Sequence, residues 1–229
     1  MQVNLTRRAE IGSAKRARTR AAILGAAREC YAAGPLTVDS IMTAAGLGKG
    51  TFYVHFEDLA ALEAELGVTL IAELDEHLQP ARLSTSDPLS RLATATTILL
   101  RHLGAQPERA RLASRAAAAI PDVGRAVLMR MREDVAAAQA AGSIALPSHE
   151  LAAGIVTAIF LHATKEFGLG RSDMAAVPHF VAAILRAIGC APDDAAARAG
   201  AAAQAADNFA DQFAATKDGN QPPGRGGHQ

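Results

Sequence analysis

The apolar residues of this chain recur at intervals of three and four, Gly or Pro interrupts each run, and no stretch alternates apolar with polar. A period near 3.6 places such residues on one face of a helix, whereas a half-buried strand needs a period of two. The pattern therefore admits helices packed on helices and excludes a sheet. Composition agrees, because 50% of the 229 residues are apolar but only 4% are aromatic and none is Trp. A core of Ala, Leu, Ile and Val suits close helix packing. The length suits a small head joined to a larger body.

Ile23, Leu24, Ala27, Cys30 and Tyr31 predict a first helix from about Thr19 to Ala33, ended by Gly34-Pro35. Thr37 is placed to cap a short second helix carrying Val38, Ile41, Met42 and Ala45, which Gly46 closes. A third, Lys49 to Phe56, begins within three residues. Phe52 and Phe56 fall on one side of it, leaving Lys49, Thr51, Tyr53, Val54 and His55 largely on the others. So short a helix does not hold alone, and the Phe pair supplies its attachment to the first two.

Asp58 is expected to cap a long fourth helix to about Gln79, with Leu59, Leu62, Leu66, Leu70 and Leu74 on one stripe. Pro80 to Pro88 reads as a polar break. Further helices are expected over Leu89 to Leu103, Glu108 to Ile120, Val123 to Ala141, Glu150 to Phe167, Asp173 to Ile188 and Asp193 to Phe213. Pro178 favours a late start for the penultimate one. The expected organisation is all-α: a basic, partly flexible arm (1–18), a three-helix head (19–57), a helical body (58–215) and a disordered tail (216–229).

Basic and acidic residues balance at 23 each, but residues 1–56 hold eight basic and three acidic groups, so the remainder is acidic overall. A basic head beside an acidic body suits phosphate binding by the head. Cys30 and Cys190 are too few and too far apart for a disulfide framework or a thiolate metal site. His102, His149, His162 and His179 do not fall at metal-ligand spacing, and no nucleophile or acid-base motif is present. We therefore expect no metal, no cofactor and no enzymatic activity. The start of the chain lacks a signal-like apolar run, and Ile155 to Leu161, the most apolar stretch, is too short for a membrane span. A cytoplasmic protein without membrane contact is expected.

A helix, a glycine turn and a short helix bearing Lys, Thr, Tyr and His make a helix-turn-helix, whose second helix enters the major groove N-terminus first. Spacing alone does not separate this from a turn in an ordinary helical protein. The residues go further: Thr37 to Phe56, TVDSIMTAAGLGKGTFYVHF, with its lead-in TRAAILGAARECYAAG, resembles the DNA-binding signature of the TetR family of bacterial regulators. With the helix after Asp58, the resemblance covers about the first quarter of the chain. Two positions depart from the family pattern. Gly48 stands where a capping Ser is usual, and Leu59-Ala60 replaces a Lys followed by an acidic residue, removing one phosphate contact.

Double-stranded DNA is thus the expected partner. Lys49 lies where phosphates approach the third helix, Gly50 permits close approach, and Thr51 has a hydroxyl to donate to a phosphate. Tyr53 suits a phosphate or a thymine methyl, and Val54 offers apolar contact only. His55 resembles the family's phosphate-contacting histidine, the alternative being a half-buried core residue beside two Phe. Thr37 is a further backbone contact, and Arg16, Arg18 and Arg20 are placed to anchor the arm across the groove edge.

The resemblance also implies that the body forms a homodimer and encloses a small-molecule effector cavity. Candidate lining residues are Leu92, Thr96, Leu99 and Leu103, then Leu112 and Arg115, then Val127, Leu128 and Met131. Arg115 requires a counter-charge from the protein or an anionic ligand unless it faces solvent. Candidate interface residues are Leu151, Gly154, Ile155, Ala158, Ile159 and His162 on one helix and Val181, Ile184 and Ile188 on another. Either stripe alone equally fits the monomer's own core. The expected function is a ligand-responsive repressor on a palindromic operator; the alternative is a helical small-molecule-binding protein with a degenerate head.

Overall fold

The computed structural model describes residues 2–33, 36–83, 85–120 and 124–218, and all regular structure among them is helical. The order is α1 (Gln2–Ala33), α2 (Val38–Ala44), α3 (Lys49–His55), α4 (Leu59–Leu83), α5 (Pro88–Gly104), α6 (Pro107–Ala119), α7 (Arg125–Ala140), α8 (His149–Gly168), a 3-10 turn (Met174–Ala176), α9 (Val177–Ala187) and α10 (Pro192–Asp218). The expected all-α architecture is observed.

Side-chain caps set several of the starts. Thr37 accepts from the Ser40 N–H at 3.1 Å while the Ser40 hydroxyl reaches back to the Thr37 N–H, forming a capping box. Asp58 accepts from the Ala61 N–H at 2.7 Å at the head of α4. Pro178 sits in the first turn of α9, where its missing N–H removes no helical hydrogen bond, so the late start is realised.

Three boundaries differ from expectation. α1 begins at Gln2, so residues 2–18 belong to the helix and not to a separate arm. Arg, Ala and Lys favour helix there, but the described side chains from Gly12 to Arg18 are all exposed, and an unpacked helix carries no apolar stripe to betray it. α4 continues beyond Pro80 to Leu83, its last turn held by Arg82, whose guanidinium meets Asp134 at 2.6 Å and the Arg130 carbonyl at 3.3 Å. α10 extends through residues 216–218, while 219–229 of the expected tail lie outside the described residues.

Two apolar clusters form the core. In the head, Ile23 and Ala27 of α1, Ile41 and Met42 of α2, and Phe52 and Phe56 pack with Leu62 and Leu66 of α4 and Leu112 of α6. In the body, α5 is sheathed on most sides and packs with Leu74, Leu78, Val135, Val156, Phe167, Ile184 and Leu185. Hence α4 contributes its first half to the head and its second half to the body. At the junction Gly67 lies against α6 so closely that an added Cβ would stand 2.3 Å from the Leu112 carbonyl oxygen and 2.7 Å from the Ala116 Cβ. Around it the arginines of α1 and α6 clasp the carboxylates of α4: Arg20 pairs with Glu65, Arg28 with Glu73 at 2.6 Å, and Arg115 with Glu63 at 2.8 Å.

α5 and α10 are tied through Asp87. Its carboxylate caps α5 by accepting from the Ser90 N–H at 2.9 Å and also receives the guanidinium of Arg198, which bridges to Asp194 at 2.9 Å. Partial burial pushes the Asp87 pKa up, but the Ser90 hydrogen bonds and Arg198 outweigh this and hold it below the ordinary carboxylate value.

Gly67→Ala is expected to destabilise the fold by about 1–3 kcal/mol, since a backbone carbonyl has to move. Gly25→Ala, on the same type of element but with open space around its Cα, should instead gain up to about 1 kcal/mol. Opposite signs in urea denaturation check the crossing; equal gains would refute it. For Asp87 the folded pKa is depressed, so its contribution is complete above the unfolded value near 4 and disappears as pH falls through the folded one. Asp87→Ala should cost about 0.5–2 kcal/mol at neutral pH, and the difference from the unaltered protein should vanish in strong acid.

Candidate functional site

The short helix α3 is fixed from beneath. Phe52 is fully buried and Phe56 nearly so, their ring centroids 5.5 Å apart, and together they plug the head cluster. Gly46 at φ +65 makes the turn before it, and Gly48 stands at the N-cap without a side-chain hydrogen bond, as the missing Ser requires. With one face committed, the others are presented outward. Tyr53 is 57% and Val54 64% exposed, unusual values for an aromatic and an aliphatic side chain. Lys49 and Gly50 are also exposed, while Thr51 and His55 are half-buried. Thr37 is exposed at the start of α2.

Lys49 is not idle. Its ammonium lies 2.8 Å from Asp39 of α2, which raises its pKa above the ordinary lysine value through the hydrogen bond and the charge. Both side chains are mostly exposed, so solvent screens the pair and an approaching phosphate competes for the ammonium on favourable terms. The sequence held this partner in view, since Asp39 is one of only three acidic residues before Glu57, but nothing in spacing brings it across the turn to Lys49.

The arginines divide. Arg16 and Arg18 are exposed on α1 without an ion pair among the described residues. Arg20 differs from them in having a partner: its guanidinium pairs with Glu65 and lies over the Phe56 ring, 4.5 Å from the centroid. It joins α1 to α4 across the end of α3, with 40% of its side chain still exposed.

The body contains a cavity of about 380 Å³ among α4, α5, α6, α7 and α8. Leu99, Leu103, Val127 and Leu128 line it as expected. A smaller lobe of about 50 Å³ shares Leu99, Val127, Leu128, Thr157 and Phe160 with it and adds Leu92, Thr96 and Met131. Two expectations fail. Leu112 belongs to the head cluster, because α6 crosses α4 at Gly67 with that residue facing the head. Arg115 is half-exposed and paired with Glu63, so its counter-charge comes from α4 and it lines a separate cleft under Tyr31 and Leu36. Sequence reading missed the α4 and α8 walls: Ile71 and Leu74, and Thr157, Phe160, Leu161 and Thr164. The seven-residue spacing of Thr157 and Thr164, which puts both on one helix face, was the available signal.

The two stripes proposed for dimerisation part company. On α8, Leu151 and Leu161 are 50% and 41% exposed, and Gly154, Ala158 and His162 are exposed, with Ile155 and Ile159 half-buried beside them. On α9, Val181, Ile184 and Ile188 are all within the monomer's core, at most 1% exposed, and cannot face a partner. At the edge of that core α9 carries Phe180, half-buried and edge-on both to the buried Phe167 at 5.9 Å and to the exposed His162 at 6.3 Å.

If α3 is a surface element built on a Phe anchor, the two kinds of residue respond differently to truncation. Phe52→Ala is expected to cost about 3–5 kcal/mol, whereas Tyr53→Ala and Val54→Ala should change stability by no more than about 0.5 kcal/mol. Chemical denaturation of the three variants decides this, and a large loss on removing Tyr53 would make it a structural residue.

No family model and no curated protein matches the chain at the level of sequence. Solved structures do. The chain is similar to RolR in complex with its ligand resorcinol, with a TM-score of 0.64 and 20% identity over 82% of this chain and 95% of that one. It is also similar to the transcriptional regulator FadR from Bacillus subtilis in complex with stearoyl-CoA, with a TM-score of 0.53 and 16% identity over 73% of this chain and 96% of that one. The fatty acid degradation regulator FadR from Bacillus halodurans is similar in the same degree, with a TM-score of 0.53 and 17% identity over 73% of this chain and 94% of that one. This chain therefore has the all-helical fold of RolR and the FadR regulators, from the three-helix head through the helical body.

Proposed function

We propose that this protein is a TetR-family transcriptional regulator: a homodimer whose α3 helices read a palindromic operator and whose body cavity binds an effector that weakens DNA binding, making it a repressor. The observation that carries the reading is the outward face of α3. A protein without a partner there has no use for Tyr53 and Val54 in water beside Lys49, on a helix otherwise secured by two buried Phe. Arg16 and Arg18, without an ion pair among the described residues, add charge for the phosphates, and Thr37, Gly50, Thr51 and His55 border the same face.

The exposed stripe of α8 from Leu151 through Gly154, Ala158 and His162, continued by Phe180, supports a dimer made of two helices from each subunit. The likeness to structures holding resorcinol and stearoyl-CoA supports a small-molecule effector in the body. No helix among the described residues is long and apolar enough to cross a membrane, in keeping with a regulator that works in the cytoplasm.

One observation favours the other reading, a ligand-binding helical protein with a degenerate head: Lys49 and Arg20 are both already paired, and no Lys follows Asp58. Sequence selection from random duplex DNA separates the two. The unaltered protein should enrich a palindrome, and Tyr53→Ala with His55→Ala should abolish the enrichment while leaving the fold intact. Its affinity should also fall steeply with salt, as phosphate contacts release counterions. Unselective, salt-sensitive binding by both proteins would reject the regulator and leave a basic helical binding protein.

A further inference from the structure

The lining of the body cavity specifies the chemistry of its occupant. Its main lobe is walled by Leu74, Leu99, Leu103, Leu128 and Phe160, and no charged side chain is among its described lining residues. Scaling from benzene, which fills an apolar cavity of about 150 Å³, a lobe of about 380 Å³ holds about fifteen non-hydrogen atoms.

Its polar groups are of one kind. Thr157 donates its hydroxyl hydrogen to the Ala153 carbonyl at 2.8 Å, and Thr164 donates to the Phe160 carbonyl at 2.9 Å. Each oxygen is left with lone pairs only. Seven residues apart, the two lie on one face of α8 about 10 Å from each other along its axis. Ala117, Ala118, Ala119 and Ile120 line the opposite wall at the C-terminal end of α6, where helix carbonyls give a negative potential. Among the described residues the main lobe thus offers hydrogen-bond acceptors to its occupant and no cation.

Cations do border the small lobe, but they are occupied. Arg130 pairs with Asp75, and Asp134, itself 2% exposed, receives Arg82 at 2.6 Å and Arg91 at 2.9 Å. A ligand carboxylate that drew Arg130 away would strand Asp75, and one that drew Arg82 away would leave the buried Asp134 with Arg91 alone, so either new pair is made at the expense of an existing one. The small lobe, about 50 Å³, has no space for an anion together with its water.

We propose that the body cavity takes a neutral, largely apolar molecule of about fifteen non-hydrogen atoms bearing hydroxyl donors, and that it rejects carboxylates of the same shape. This rests on the reading of the cavity as the effector site. Thr157 and Thr164 set the specificity by accepting from the ligand's hydroxyls, and the acceptor-rich wall with its closed arginine pairs supplies the discrimination.

Dihydroxybiphenyl, biphenyl and biphenylcarboxylate share one frame and differ only in polar groups, so calorimetric titration of the full-length protein with each isolates the chemistry. The diol is expected to bind about tenfold more tightly than biphenyl, the equivalent of one or two neutral hydrogen bonds, and the carboxylate more weakly than either. Thr157→Val with Thr164→Val should erase the advantage of the diol and leave biphenyl binding unchanged, which also shows that the variant is folded. Ala113→Phe and Leu128→Phe, which fill the cavity from two sides, should abolish binding of all three with the helical signal retained. A carboxylate that binds as well as the diol, or a diol advantage that survives in the Val variant, overturns the proposed class while the cavity remains the site. Binding that persists in both filled variants, or no binding by any of the three compounds, overturns the cavity reading itself.

Discussion

Everything in this structure turns on the crossing of α4 and α6 at Gly67. Two helices approach closely enough there for a carbonyl oxygen to occupy the place of a β-carbon. Helix axes that would ordinarily lie 8–10 Å apart are drawn together by the absence of a side chain. The consequence reaches both ways along α4. Leu62 and Leu66 enter the head cluster with Leu112 of α6, while Leu74 and Leu78 enter the body cluster. A larger residue at position 67 would hold α6 off, withdraw Leu112 from the head and open the floor beneath α3. The surface that faces outward from the head therefore depends on a contact made by the body.

The head was legible in the sequence because each of its features is local. A capping threonine, a glycine at positive φ and a Phe pair four residues apart each act within one or two turns of helix, and the structure realises all three. Charge partners were not legible. Arg20 and Glu65, Arg28 and Glu73, and Lys49 and Asp39 meet across separate elements, and a sequence displays charges without displaying their distances. The cost of that blindness was specific: nothing in the sequence shows that Arg20 also clamps α1 to α4 across the Phe56 ring, and Arg115, read as a cavity residue, is a clamp between α6 and α4.

The body was half legible for a different reason. Helix positions followed from periodicity, but an amphipathic stripe does not reveal which neighbour it meets. Val181, Ile184 and Ile188 have the spacing of an interface and the burial of a core, while Leu151 and Leu161 of α8 are exposed. The apolar run of α8 serves two clients, with Val156, Ala163 and Phe167 turned into the core and Leu151, Gly154, Ala158 and His162 turned away from it. A helix apolar all round must be covered all round, and only the structure says how much of that covering the monomer supplies.

Under the function proposed above, a ligand in the body cavity has to act on a helix in the head. A ligand shifts an equilibrium only by its differential affinity for two arrangements, so the cavity must change shape when the head moves. Ile71 and Leu74 meet this requirement, since both line the cavity and both belong to α4. Arg20 binds α1 to the first half of α4 through Glu65 and Arg28 binds it beyond the crossing through Glu73, so the head follows α4 as a whole rather than sliding over it. With Gly67 pinned against α6, a displacement of Leu74 on one side of the crossing becomes a tilt of Leu62 and Leu66 on the other. The coupling needed is small, about 1–3 kcal/mol for a 5- to 150-fold change in affinity. Burying a few additional apolar groups of a ligand against one position of α4 and not the other supplies that amount, at about 0.8 kcal/mol for each methylene.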